Sequence, residues 1–545
     1  MTKEKRIYYI LVSSCLLVLG VSGWKWALGL QGNNDILFAD EAEYLRNGLN
    51  LFGEIAKNWG PTYNLWYKFL SIYSTDPITL YYFNYKIGAI AVGILLFIFL
   101  LRYNVHILVA FLIAFCYQFS DVNIIAWPRI SNFVLILYFL FFIFIKKEKS
   151  FLSKLIWFSI VTFIAAFARP ELLIIAEICS VVVLVLFIRK YSENKANILS
   201  IFLLLAVAVI LFLVYGKPAD TYSNINRMYI AFCQHFAVAY KMRTQSDINP
   251  IINWIEITRP YFGDCKTVPE ILLKHFSLCI PHFLFTIKFY FLSFLQYVAG
   301  FVTPLFFIPG NKKKLILTLL VFAFLIIVLF NKSIRQSFLQ KTKDNKIILG
   351  LSFLFSLPSI GICIVIFPRQ HYMMLQAIWI ALLLGFLLSA VLEKISLKNI
   401  YVIPLAIFLL LISPRADKYH PFDSVPDIKN LCSQKFVHYM NAQTWNGKYT
   451  ILSNVLNVHL LLDDYKKFDQ FNTEYMLKQL PDSVTFNDIL QEKHINIIMM
   501  NNELLQEKKL QHDSTWLNLI AHPENYGFEK VVYANECQNY LLIKR

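Results

Sequence analysis

Charge is scarce in this chain: only 16% of its 545 residues are Asp, Glu, Lys or Arg, against 57% hydrophobic. That ratio excludes a single soluble globular domain. Internal repeats, low-complexity tracts, a glycine-rich phosphate loop and zinc-type cysteine spacing are also missing, which excludes solenoids, P-loop enzymes and zinc modules. No small-x-small cleavage site follows the N-terminal apolar run. Ser13-Ser14-Cys15 has too little apolar sequence before it for a lipoprotein signal. The run from Ile7 to Leu30 therefore reads as an uncleaved first span.

What the chain has in abundance is long apolar runs, with a mean hydropathy of +0.53. At ~20 residues per span they predict roughly 11 to 13 crossings of a lipid bilayer. The net charge of +16 sits mostly in short loops between those runs, the pattern of cytoplasmic anchoring, so nucleic acid is not an expected partner. Lys3, Lys5 and Arg6 put the N-terminus inside, and the loop 31–80 outside. Arg102, the Lys146-Lys147-Glu148-Lys149 cluster and Arg189-Lys190 mark later inside turns, and a second large loop, 217–275, lies outside. Beyond it the parity is ambiguous. His275 to Pro309 fits either one tilted span or an interfacial helix plus a short span. Lys312 to Lys314 and the basic run Lys332 to Lys346 both ask to be inside, although a single span, Leu315 to Phe330, separates them.

From Ser413-Pro414 the composition turns soluble. Tyr449 to Leu452 and Ile495 to Met499 read as strands, with Asn487 to Lys493 a helix before the second. Val531 to Tyr533 and Tyr540 to Ile543 read as a terminal hairpin. The expected fold is a polytopic α-helical membrane domain, 1–413, followed by a small soluble α/β domain, 414–545. Cys233 and Cys265 share the second outer loop, and Cys432 and Cys537 bracket the soluble domain. Each pair suits a disulfide in an oxidising compartment, the alternative being ordinary buried thiols.

Two features carry chemistry. The first is Phe38-Ala39-Asp40-Glu41-Ala42-Glu43-Tyr44, which sets three carboxylates beside the membrane in the first outer loop. Asp40 is a good helix N-cap, with Glu43 completing a capping box, and the same position suits a general base. Leu45, Leu49 and Phe52 form a face that suits the bilayer surface. The second is a set of exceptions to the positive-inside rule. Arg129, Arg169 and Arg369 all fall at outer span ends, each beside a proline: Pro128-Arg129, Arg169-Pro170-Glu171 and Pro368-Arg369. One such arginine commonly snorkels or pairs with a carboxylate. Three on the side of Asp40, Glu41 and Asp121 point to an anionic headgroup, because the guanidinium fork bonds two phosphate oxygens at once.

A first outer loop carrying Asp40-Glu41-x-x-Tyr44 resembles the GT-C superfamily of membrane glycosyltransferases. The closest likeness is to the branch of protein O-mannosyltransferases and the lipid A aminoarabinose transferase. Gly60-Pro61-x-Tyr63, Arg169-Pro170-Glu171 and Arg369-Gln370-His371-Tyr372 are similar to that branch; its late motif is a bare Arg-Tyr, so Gln370-His371 is an insertion. The resemblance implies a polyprenyl-phosphate sugar donor, inverting transfer to a glycan, lipid or protein hydroxyl, and Asp40 as base. Glu41 and Asp121 are the further catalytic candidates. Arg129, Arg169 and Arg369 would hold the donor phosphate, with Tyr44, Tyr63, Glu171, His371 and Tyr372 positioning substrate. The lipid-monophosphate branch generally uses no metal, so no cofactor is expected. The implied location is a bacterial cytoplasmic membrane with the site facing the periplasm or exterior. Two other readings are a transporter or flippase of anionic or lipid-linked substrates, and an O-antigen-type polymerase or ligase. The first lacks repeated halves with Gly/Pro-broken spans; the second would be expected to use a large late loop. The resemblance and the Cys432/Cys537 pair place the domain 414–545 outside, with Lys312 to Lys314 tolerated there and either an extra crossing or a re-entrant segment within His275 to Pro309. An alkaline phosphatase fusion after Arg545 should be active and a fluorescent fusion there dark; the opposite pair of results would invert that topology.

Overall fold

In a lipid solvent a long apolar run must be helical, because every backbone amide has to be bonded within its own segment. The computed structural model describes residues 2–38, 40–51, 60–124, 127–189, 197–218, 221–222, 225–246, 250, 253–305, 308, 310–395, 399–416, 430–477, 480, 483–537 and 539–544. Among them, eight helices are long and apolar enough to span: Lys3–Asn33, Pro77–Arg102, Pro170–Arg189, Ile198–Tyr215, Val268–Gly300, Asn311–Phe330, Lys346–Val365 and Gln370–Ile395. Four shorter apolar helices join them: Ile107–Gln118, Ile130–Ile145, Phe151–Ala166 and Asn399–Ile412. The protein is thus a multi-pass membrane protein. Its chain folds as two units, Met1–Ala27 with Ile55–Tyr63 and Tyr85–Arg415, and Leu28–Glu54 with Asn64–Asn84 and Ala416–Arg545.

The first unit has a basic end and an opposite end. At the basic end Lys146 donates to the carbonyl of Arg102. The amide of His106 donates to Ser389 Oγ at 2.9 Å, and Lys341, in the polar helix Lys332–Asp344, pairs with Glu393 at 2.7 Å. At the opposite end Lys314 pairs with Asp121 at 3.2 Å. Of the two basic runs that both ask to be inside, Lys312 to Lys314 is therefore the one at the opposite end, where the Asp121 carboxylate pairs with Lys314. Asn311–Phe330 runs from the Asp121 end to the basic end.

Val268–Gly300 is long enough to cross but does not behave as a crossing. It bends at His275, whose backbone is non-helical. Beyond the bend, the His282 ring bonds the Val365 carbonyl at 3.1 Å and Thr286 donates to that of Ile364 at 2.5 Å. Tyr290 donates to Gln376 at 2.8 Å and Tyr297 to the Met374 carbonyl at 3.4 Å. Residues 282 to 297 cover about 22 Å at ~1.5 Å per residue, yet all four of these hydrogen-bond partners lie within 364–376. This helix follows the turn between two spans instead of passing beside them. Among the described residues that leaves seven long helices, with four shorter apolar ones, as candidates to cross. Lys25, at the exit of the first span, donates to Leu410, Leu411 and Ser413, so the last span exits at the same end as the first. Cys233 and Cys265 are free thiols, both buried in an apolar cluster with Phe232, Phe236 and Phe262.

The second unit is built on a five-stranded sheet: β1 Tyr449–Ser453, β2 Phe468–Asn472, β3 Ile495–Met500, β4 Phe528–Val531 and β5 Tyr540–Lys544, in the order β2-β1-β3-β5-β4. β1 is parallel to β2 and β3, while β5 is antiparallel to β3 and β4. Leu452, Ile498, Trp516 and Leu542 lie in its core. A disulfide joins Cys432 to Cys537.

The described residues of 28–51 and those of 64–84 pack into this unit. Arg46 donates to the carbonyls of Leu460 and Leu462 at 2.6 and 2.7 Å, and its guanidinium lies 4.4 Å from the centre of the Tyr465 ring. Leu45 is fully buried instead of facing the bilayer, and Phe52 lies outside the described residues. Gly48 permits this packing: a Cβ there would stand 2.5 Å from Tyr67 Cβ and 2.7 Å from the Asn64 carbonyl. Asp35 caps the helix Cys432–Ala442, accepting from the amides of Ser433 at 2.7 Å and Gln434 at 3.0 Å; that helix has no side-chain cap of its own.

Burial raises Asp35 to about 6, against the pull of those donors. Its folded value lies above the unfolded ~3.9, so its contribution is complete below about pH 4 and is lost as the pH climbs through about 6. Asp35→Ala should lower amide protection in 432–442, and the gap from the native chain should shrink between pH 5 and pH 8. Hydrogen exchange corrected for intrinsic rates checks this; a gap that grows with pH would contradict it.

Candidate functional site

In the first unit, the three arginines predicted from sequence each stand immediately before a helix. Arg129 precedes Ile130–Ile145, Arg169 precedes the 3-10 turn that leads into Leu173–Arg189, and Arg369 precedes the run Gln370–Ile395. All three have extended backbone. Proline explains part of this: Pro170 disfavours the helical region for Arg169 and then opens the helix at its first position. A helix start presents unbonded amides and a partial positive charge, so an arginine there adds cationic charge where an anion is already favoured.

The three converge. Arg129, Arg169 and Arg369 all bear electrostatically on the His371 ring, as does His235. Ser131 Oγ donates to the His371 carbonyl at 3.0 Å, tying one helix start to another. Arg169 is buried, pairs with Glu171 at 2.5 Å, and its guanidinium lies 5.2 Å from the centre of the Tyr372 ring. Arg129 lies over Trp127 at 3.6 Å, and Arg369 is exposed. The turn is held from behind: Ser359 donates to the Tyr372 carbonyl, Ser356 to that of Leu375 at 3.0 Å, and Gln376 to Ser359 at 3.2 Å. Tyr63 is buried against Phe133, with the rings 5.6 Å apart.

His235 had no signal in sequence beyond its place in a long outer loop. It is buried, stacks on Phe367 with ring centres 5.4 Å apart, and its Nδ1 has no partner among the described residues. Burial first, and then the charge of Arg369, lower it to about 3, so it is neutral at physiological pH.

Asp121 does not join this group; it pairs with Lys314 beside a cavity. The other carboxylates belong to the second unit. Asp40 is the first residue of the helix Asp40–Leu49, one position beyond an N-cap, and is half-buried; Ala39 lies outside the described residues. Glu41 is buried in a polar network: Tyr67 donates to it, Asn84 donates to it at 3.2 Å and to Tyr67 at 2.8 Å, and Trp66 donates to Asn84 at 2.8 Å. Tyr44 is buried on the same helix. No group of three or more His, Cys, Asp or Glu suited to a metal occurs among the described residues.

By fold and site this is a multi-pass membrane protein with arginines gathered at helix starts. No protein-family model matches the sequence, and no curated protein does. Among solved structures, the chain is similar to the oligosaccharyltransferase of Archaeoglobus fulgidus, crystallised with zinc and sulfate. The TM-score is 0.43 and the identity 12%, over 97% of this chain and 72% of that one. A score at that level does not establish a common fold.

Charge-assisted hydrogen bonds contribute about 1.5–3 kcal/mol each, so a lipid phosphate held by these arginines would lose about tenfold or more of its affinity in Arg169→Lys and in Arg369→Gln. Titration of the purified chain in nanodiscs checks this; unchanged affinity in both variants would separate these arginines from any phosphate site.

Proposed function

We propose that the protein is a membrane glycosyltransferase that moves one sugar from a polyprenyl-phosphate donor to a hydroxyl acceptor. The observation that carries this reading is the gathering of Arg129, Arg169 and Arg369 about His371, three cations at three helix starts in a multi-pass protein. Such a group suits an anion whose hydrophobic tail lies in the bilayer. By the positive-inside rule the basic end is cytoplasmic, which puts the arginines at the outer face of the membrane. In a bacterial cell that is the periplasmic face of the cytoplasmic membrane.

The chemistry is an inverting displacement. The acceptor oxygen attacks the anomeric carbon, the bond from that carbon to the phosphate oxygen breaks, and the acceptor proton passes to Asp40. The role of Asp40 rests on the likeness of its motif to GT-C enzymes. The guanidinium groups stabilise the departing polyprenyl phosphate, and orientation with fixed electrostatics supplies most of the acceleration. Tyr44, Tyr63, Glu171, His371 and Tyr372 act as positioning residues. Glu41, bonded to Tyr67 and Asn84, positions the helix that carries Asp40. No metal is required by this scheme.

Asp40→Asn removes basicity with little change in shape. Transfer from radiolabelled polyprenyl-phosphate sugars should fall by about 100-fold or more, with binding of polyprenyl phosphate intact. Full activity in Asp40→Asn would sink its assignment as base.

A further inference from the structure

Lys314 has no place in the scheme above. It stands opposite the basic end, and its ion pair with Asp121 keeps 25% and 36% side-chain exposure, so the pair stays reachable from outside. The pair does form part of the wall of a cavity of about 140 Å³. Ser120, Ser293, Gln296 and Gln370 share that wall. Gln296 and Gln370 are exposed.

We propose that this cavity is the recognition pocket for the sugar ring of the donor, with Asp121 and Lys314 as the pair that reads its hydroxyls. The proposal rests on the phosphate site inferred above and names what lies next to it. Four observations support it. In size, about 140 Å³ is room for a group of roughly one ring, and the open mouth leaves the rest of a larger glycan outside. In charge, the carboxylate and ammonium cancel, so the pocket opposes an anion through Asp121 and a cation through Lys314, and favours a neutral polar guest. In hydrogen bonding, Asp121 only accepts, Lys314 only donates, and the amides and hydroxyls do both; sugar hydroxyls, which donate and accept, match that set. In place, Pro368 and Gln370 line the cavity and flank Arg369, so a group attached to a phosphate held by Arg369 begins at the cavity. Tyr297 closes one side, braced by Phe301 at 5.1 Å and Tyr117 at 6.3 Å between ring centres.

The test uses the full chain in nanodiscs and measures affinity for bare polyprenyl phosphate and for the same lipid carrying mannose, glucose, galactose or arabinose. One sugar should bind at least about tenfold more tightly than the bare lipid, as expected for hydrogen bonds to charged groups. Lys314→Met should reduce that advantage to within about twofold while leaving bare-lipid affinity unchanged, which also shows that the variant is folded. Asp121→Asn/Lys314→Gln, which keeps the pocket neutral and its shape similar, should shift the preference among the sugars. Equal binding of bare and sugar-bearing lipid, or a full advantage retained in Lys314→Met, would overturn the pocket alone. Failure of the bare lipid to bind the native chain would overturn the phosphate site and the pocket with it.

Discussion

Like charges repel, and three guanidinium groups acting on one imidazole are the arrangement the rest of this unit has to sustain. Glu171 answers one of them directly. The others are held by backbone: each arginine is the last extended residue before a helix, so the helix that follows fixes where its side chain starts. The serines of Lys346–Val365 and the hydroxyl of Tyr290 anchor the turn that carries Arg369, His371 and Tyr372. A group fixed in this way stabilises an anion without having to reorganise around it, which is what catalysis by electrostatics requires.

The same end of the unit carries the helix Val268–Gly300. Four of its polar residues, His282, Thr286, Tyr290 and Tyr297, are spent on the turn 364–376. Hydropathy alone would count it as a span, and the parity of the chain would then fail. Read by its contacts it runs along the turn, and the last span exits where Lys25 marks the exit of the first.

Much of this was legible in the sequence because lipid imposes simple rules. Apolar runs became helices, Arg102 and Lys146 met at one end, and the three arginines beside prolines each stand just before a helix. Strands β1, β3 and β5 followed from alternation and β-branched residues, whereas the hairpin's first strand, expected at Val531 to Tyr533, lies three residues earlier at Phe528–Val531. What was not legible depended on partners distant in sequence. The charge of Lys312 to Lys314 leaves its side ambiguous, and its partner Asp121, far back in the chain, leaves no local trace. Leu45 reads as lipid-facing until the close approach at Gly48 shows its helix packed within its own unit. Phe468–Asn472 lacks β-branched residues and forms a strand through pairing with β1. His235 enters through its stacking on Phe367 and its position near Arg369, neither of which leaves a local pattern.

The central claim is that the three arginines form one phosphate site. An experimental structure of the full chain in nanodiscs with bound polyprenyl monophosphate tests it most directly. The account predicts phosphate density within hydrogen-bonding distance of the guanidinium groups of Arg129, Arg169 and Arg369, beside His371. A phosphate seated elsewhere, with these side chains turned toward lipid, would contradict it.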